Sequence, residues 1–247
     1  SAAYIVLETD GPYEGHGLTF TIGRGNELCI EAFQTLKHLI IGLELSWIKE
    51  NMGSFWRHIT GDSQIRWVGP DKGVVHLSTG AIVNAIWDLW AKVEKKSVWQ
   101  LVYDMKPEEV VRLIDFRYLK DALTEEEAFT ILNKASVTKE KRYNLLIKEG
   151  YPSYTTSAGW LGYTDEKLRK LCGEVKESGF THVKFKVGRD LKDDIRRLKI
   201  AREVLGNQVQ LMIDANQVWE VDQAIEWVNK LKFAAPLFIE EPTSPDD

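Results

Sequence analysis

An α/β fold is predicted for this chain, with an α+β domain followed by the first half of a (β/α) barrel. Three observations predict it. A β-rich opening gives way to long amphipathic helices, and from about residue 115 short strands alternate with capped helices. Lys186 to Asp214 is then 28 positions and Asp214 to Glu240 is 26, each the length of one strand, loop, helix and loop. The expected domains are residues 1–114 and 115–247.

Tyr4 to Thr9 and Leu18 to Ile22 are β-rich and flank the turn-like stretch Asp10 to Gly17, so an antiparallel pair opens the chain. Asn26 is the predicted N-cap of a helix ending near Gly42, and a second amphipathic helix is expected from Leu45 to Ile59. A polar loop from Gly61 to Gly73 precedes a long helix, Val74 to Lys96. Along that helix Ala81, Ile82, Ala85, Ile86, Leu89 and Val93 recur at three- and four-residue steps and mark a buried face. Tyr154 to Ala158 is the first strand expected of the second part. Thr164 caps a helix stopped by Gly179, and His182 to Val187 is the next strand. A helix from Asp190 to Gly206, the strand Val209 to Asp214, a helix around Ala224 to Leu231 and the strand Leu237 to Glu240 complete the alternation.

The chain has 247 residues, 44% of them hydrophobic, enough to bury a sizeable core in one large domain or two modest ones. Its net charge of −5 is spread along the sequence without a Lys/Arg stripe, which argues against nucleic acid as a partner. No apolar run reaches the roughly 18 to 20 residues needed to span a bilayer, so no membrane partner is expected. Cys29 and Cys172 fit neither a zinc pattern nor a disulfide framework, consistent with buried thiols in a reducing compartment. Only 132 residues run from Phe116 to Asp247, against about 250 for a whole barrel, and SAAYIVLETD reads as an interior strand. The intact protein is therefore expected to extend beyond both ends.

The chemistry concentrates on three strand ends. In HVKFKV the period of two sends Val183, Phe185 and Val187 to one face and His182, Lys184 and Lys186 to the other. An exposed edge strand protected by lysines would show the same pattern. However, Asp214 ends the apolar strand of VQLMIDAN with Asn216 at the same parity, and Glu240 and Glu241 end the strand of PLFIEEP. Charged ends on three successive strands at barrel spacing belong at the C-terminal rim, where barrel active sites form. Two carboxylates beside an amide oxygen suit a hard cation such as Mg²⁺. A lysine free in water has a pKa of about 10.4 and a useful base needs about 7 to 8, a shift worth roughly 4 kcal/mol. Burial, a second ammonium and a divalent cation all push that way.

These residues resemble the enolase superfamily in its mandelate racemase-like branch. The likeness rests on the helix AIVNAIWDLWAK, the Lys-x-Lys strand VKFKVG and the strands IDAN and IEEP. The longer strings RWVGPDKGVVHL, IDFRYL, YPSYTTSAGWLGYTDE and IEEPTSPDD resemble the L-fuconate dehydratases and their animal mitochondrial relatives. The resemblance implies an N-terminal capping domain, here without its first strand and loop, and the first half of a TIM-like (β/α)7β barrel. It implies a Mg²⁺-dependent hydro-lyase that takes L-fuconate to 2-keto-3-deoxy-L-fuconate by α-proton abstraction and loss of water through an enediolate. By it Lys186 is the base and Lys184 its catalytic neighbour and substrate contact. Asn216 is a further substrate contact, and Asp214 and Glu240 are two of three ligands to one Mg²⁺, with Glu241 supporting them. The third ligand and a catalytic histidine would lie on later strands, so these residues alone are expected to be inactive. A racemase or cycloisomerase of the same superfamily, or a non-catalytic binding protein, is the alternative. The expected partner is a small sugar acid, self-association into a homo-oligomer is left open, and the expected location is mitochondrial or cytoplasmic, the mitochondrial choice resting on the resemblance only.

Other candidates have plainer explanations. Gly23 and Gly25 lack a third glycine at nucleotide-binding spacing and read as a turn, and His16, His38, His58 and His76 lack paired metal spacing. Trp67 could line the site mouth or pack in the core, while Trp87 and Trp90 read as helix-packing residues.

Overall fold

The computed structural model describes residues 2–69 and 73–246, which fall into two compact units, residues 1–144 and 145–247. The contact boundary lies past the change of texture near residue 115, because the helices that follow it pack with the first unit.

The first unit opens with β1 (Ala2–Leu7) and β2 (Gly15–Phe20), paired antiparallel with Tyr4 opposite Leu18. Then come α1 (Asn26–Leu36), α2 (Leu45–Glu50), α3 (Met52–Thr60) and the long α4 (Gly73–Val93). The short helices α5 (Val98–Asp104), α6 (Pro107–Arg112), α7 (Glu125–Ser136) and α8 (Lys139–Glu149) complete the series. Ala3, Leu36, Phe55, Ile59, Ile82 and Ile86 are buried together in its core. The predicted face of α4 is buried from Ala81 to Leu89, while Val93 is exposed. The hairpin meets that helix at backbone distance. A Cβ at Gly15 would stand 2.1 Å from the Ala85 carbonyl oxygen and one at Gly17 2.0 Å from that of Ala81, so only glycine fits at either place.

Four sequence expectations change here. Asn26 does not cap α1; Gly25, with φ at 98°, takes the cap position, and Asn26 accepts the Thr21 N–H at 3.1 Å, tying β2 to the helix start. The helix gives way to a 3₁₀ turn at Lys37–Leu39 well before Gly42. The Leu45 to Ile59 helix is broken at Asn51, whose side-chain amide donates to the Trp47 carbonyl and closes α2. Trp67 sits in a 3₁₀ turn, Ile65–Val68, with its ring 80% exposed, so it is no core residue. Residues 70–72 of the predicted loop, and with them part of RWVGPDKGVVHL, lie outside the described residues. Trp87 and Trp90 stack with ring centres 4.9 Å apart, as helix-packing residues do.

The second unit holds α9 (Asp165–Glu177), β3 (His182–Lys186), α10 (Leu191–Leu205), β4 (Gln210–Asp214), α11 (Val221–Leu231) and β5 (Ile239–Glu240). Its sheet is parallel in the order β3-β4-β5, with Lys186 opposite Asp214 and Asp214 opposite Glu240. β3 is followed by α10 and β4 by α11, the repeating unit of a (β/α) barrel. The Thr164 and Asp190 side chains cap α9 and α10 by accepting the N–H groups of Lys167 and Asp193. Val183, Phe185 and Val187 are buried with Leu168, Cys172, Leu198 and Ala201 of the flanking helices, as the alternation in HVKFKV predicts.

The expected strand Tyr154 to Ala158 forms only a bridge, Thr155 to Val183. The chain is helical from α7 to α8 in place of the alternation expected from residue 115.

Candidate active site

The parallel register brings the charged strand ends together. Lys186 Nζ donates to Asp214 Oδ2 at 2.6 Å and to Asn216 Oδ1 at 2.7 Å. Lys184 Nζ donates to Glu240 Oε2 at 2.7 Å and lies 3.2 Å from Asp214 Oδ2. Asp214 is the hub, with its side chain 1% exposed, while the Glu240 side chain is 38% exposed. All five residues named from the sequence therefore form one connected group.

Burial opposes the charge on Lys184, but hydrogen bonds to Glu240, Asp214 and Tyr154 override it, and its ammonium is held above the usual lysine range. A neighbouring ammonium alone would push it the other way. Here the two carboxylates dominate. Burial likewise pushes the Asp214 carboxyl up, and the hydrogen bonds from Lys186, the Asn216 N–H and Lys184 outweigh it, so Asp214 stays below the usual carboxylate range.

The loops after β4 and β5 hold this arrangement through unusual backbone. Asn216, Gln217 and Glu241 all have positive φ, 50°, 63° and 47°, conformations that cost non-glycine residues free energy and tend to gather at functional sites. Glu241 accepts the Asn216 Nδ2 at 3.0 Å and the Gln217 Nε2 at 3.3 Å. Because a carboxylate only accepts, it turns the Asn216 oxygen toward Lys186.

Two residues of YPSYTTSAGWLGYTDE that were not singled out as site residues complete the surroundings. The Tyr154 ring centre lies 5.3 Å from Lys184 Nζ and the Trp160 ring centre 5.8 Å from Lys186 Nζ, both rings about half exposed. Tyr154 opens the stretch expected as a strand, Tyr154 to Ala158, and Trp160 follows just beyond it.

The donor set suits a hard cation. Asp214 Oδ2 and Glu240 Oε2 converge on a single positive charge, the Lys184 ammonium. Two carboxylate oxygens from adjacent strands are what Mg²⁺ takes while it keeps water or substrate oxygens in its remaining positions. Among the described residues no group of three acidic, histidine or cysteine side chains forms a metal cluster.

A lysine pair and two carboxylates thus stand at the C-terminal ends of successive parallel strands, the rim where the sites of (β/α) barrel proteins form. Residues 1–102 match the family model for the mandelate racemase / muconate lactonizing enzyme N-terminal domain, and residues 167–247 match the enolase C-terminal domain-like model. The chain belongs to the enolase superfamily. It is similar to L-galactonate dehydratase of Hypocrea jecorina, 52% identical over 250 residues that cover 100% of this chain and 56% of the relative. The crystal structure of human mitochondrial enolase superfamily member 1 superposes with a TM-score of 0.97 at 50% identity, again over 100% and 56% of the two chains. L-talarate dehydratase from Polaromonas sp. JS666, whose crystal structure is complexed with Mg and L-glucarate, shares the fold at 22% identity with a TM-score of 0.67, over 100% and 56%. The chain spans about half the length of the curated relatives it matches.

Proposed function

We propose that this chain is the capping region, residues 1–114, and the first half-barrel, residues 115–247, of a Mg²⁺-dependent sugar-acid dehydratase acting on L-fuconate. The single observation that supports it best is the cluster of Lys184, Lys186, Asp214, Asn216 and Glu240 on successive strand ends. The likeness to an L-galactonate dehydratase points to the same sugar configuration, since L-fuconate is L-galactonate without its 6-hydroxyl. By the likeness to a protein named as mitochondrial, the mitochondrion is the proposed compartment.

Lys186, in its neutral form, takes the proton from C2 of the aldonate. Lys184 keeps its charge and pairs with the substrate carboxylate, where negative charge builds as that proton leaves. Asn216, its amide fixed by Glu241, offers its oxygen to a substrate hydroxyl and to Lys186 in turn. Asp214 and Glu240 would hold Mg²⁺, which when bound supplies further positive charge against the same carboxylate. The C3 hydroxyl, protonated by the catalytic histidine that the resemblance places on a later strand, departs as water and leaves an enol, which ketonises to the 2-keto-3-deoxy acid with water as the only co-product.

The test is direct. The intact protein in which this chain stands, incubated with L-fuconate and Mg²⁺, should release a 2-keto acid detectable as its semicarbazone. Exchange of the C2 proton with solvent without loss of water would instead assign a racemase or cycloisomerase. Neither product nor exchange with any aldonate would remove the catalytic reading.

A further inference from the structure

Among the described residues, the largest fully buried side chain belongs to Arg197 on α10. Its guanidinium reaches three main-chain carbonyls. Nη1 donates to the Lys186 oxygen at 2.7 Å, and Nη2 donates to the Gly159 oxygen at 2.8 Å and the Trp160 oxygen at 3.1 Å. Asp194, one turn earlier and also 0% exposed, lies 3.4 Å from Nη1, and its other oxygen accepts the Gly188 N–H at 2.8 Å and the Trp227 indole at 3.2 Å.

The need for this clamp follows from the strand pattern. In a parallel sheet the N–H and C=O of one residue point to the same side. On the side of β3 away from β4, the Lys184 N–H finds Thr155 and the Lys186 N–H finds the Gly159 carbonyl. The Lys186 carbonyl has no strand N–H facing it there, and the fork of Arg197 takes that place. One cation therefore ties the end of β3 to the backbone that carries Trp160. The fit is tight, since a Cβ on Gly159 would stand 2.0 Å from the Lys184 carbonyl oxygen.

We infer that Arg197, supported by Asp194, is a positioning residue: it fixes the strand end bearing Lys186, and the Trp160 ring beside it, where Lys186 can reach the substrate's C2 proton. This rests on the dehydratase reading for its catalytic consequence and on geometry alone for its structural one. A side chain that only fills space between helix and strand would affect global stability and nothing local.

The experiment compares Arg197→Met and Arg197→Lys with Leu198→Ala, a neighbour that is equally buried but lies in the apolar core. All are made in the intact, Mg²⁺-loaded protein and assayed well below their melting temperatures. In Arg197→Met the Lys186 amide should exchange with solvent about tenfold faster or more, while the Leu211 and Ile213 amides keep their wild-type rates. Its kcat should fall about tenfold or more with KM little changed, since misplacement of a reacting group by an ångström costs up to about a hundredfold. Arg197→Lys, which replaces a planar fork by a point donor, should lie between. Leu198→Ala should keep its kcat. Uniform acceleration of exchange, an unchanged Lys186 amide, or a kcat within twofold of wild type in Arg197→Met would overturn the inference. If the wild-type protein dehydrates no aldonate, the functional reading fails, while the exchange pattern still decides whether the clamp exists.

Discussion

Lys186 Nζ and Asp214 Oδ2 stand 2.6 Å apart because their residues are register partners on adjacent parallel strands. Main-chain pairing sets the two side chains side by side, and the Asn216 oxygen, 2.7 Å from the same ammonium, gives it a second anchor.

Replacing the base should stop the chemistry and leave the fold. Lys186→Met removes a side chain that is 20% exposed, and Lys184 still faces Asp214. Turnover of L-fuconate should fall by about 10²- to 10⁴-fold, the range for losing a positioned base. Circular dichroism should match wild type, and retained turnover would move the base elsewhere.

The two carboxylates should differ when neutralised. Glu240→Gln acts on a partly exposed group, and its main effect should be weaker Mg²⁺ binding by about tenfold or more, read by calorimetry. Asp214→Asn also strips the buried Lys184 and Lys186 of a shared partner, so it should lower both affinity and stability, the latter by about 3 kcal/mol. Chelation with EDTA should abolish turnover in the wild-type protein, and added Mg²⁺ should restore it.

Two glycines of the second unit should respond oppositely to alanine. Gly159→Ala drives a methyl into the Lys184 carbonyl and should cost about 3 kcal/mol or more in urea unfolding. Gly173, inside α9 with nothing within 4 Å of its would-be Cβ, should gain about 0.5 to 1 kcal/mol.

Asp115 gives a pH signature. Burial pushes its carboxyl up, but the hydrogen bonds from Arg57 and the Arg117 N–H and the charges of both arginines outweigh that and hold it low. A depressed carboxyl adds stability above the unfolded value of about 4 and loses it as pH falls through the folded value. Asp115→Asn should therefore unfold at lower urea than wild type at pH 7. The gap should close as the pH is taken down through the carboxylate range, and a gap independent of pH would contradict this assignment.

The alternation in HVKFKV and the 28- and 26-residue spacing were enough to place the lysines, Asp214, Asn216 and Glu240 together, because sheet register turns spacing directly into proximity. What the pattern did not carry was tertiary. Tyr154 and Trp160 lie on irregular chain that has no period to read. Arg197 sits in the charged run DDIRRLK and reads as solvated, although with Asp194 it falls on the stripe of Leu198, Ala201 and Leu205. That placement is the one signal that could have exposed it. The polar, weakly amphipathic helices α7 and α8 were not legible because their sequences resemble connecting chain. The Asn26 cap failed because a side chain able to cap can equally bind the preceding strand.

The seam of Gly15 and Gly17 against Ala85 and Ala81 makes the hairpin and α4 a laminate. Any side chain larger than hydrogen at either glycine would have to prise strand from helix, so this part of the core is held by main chain lying directly on main chain.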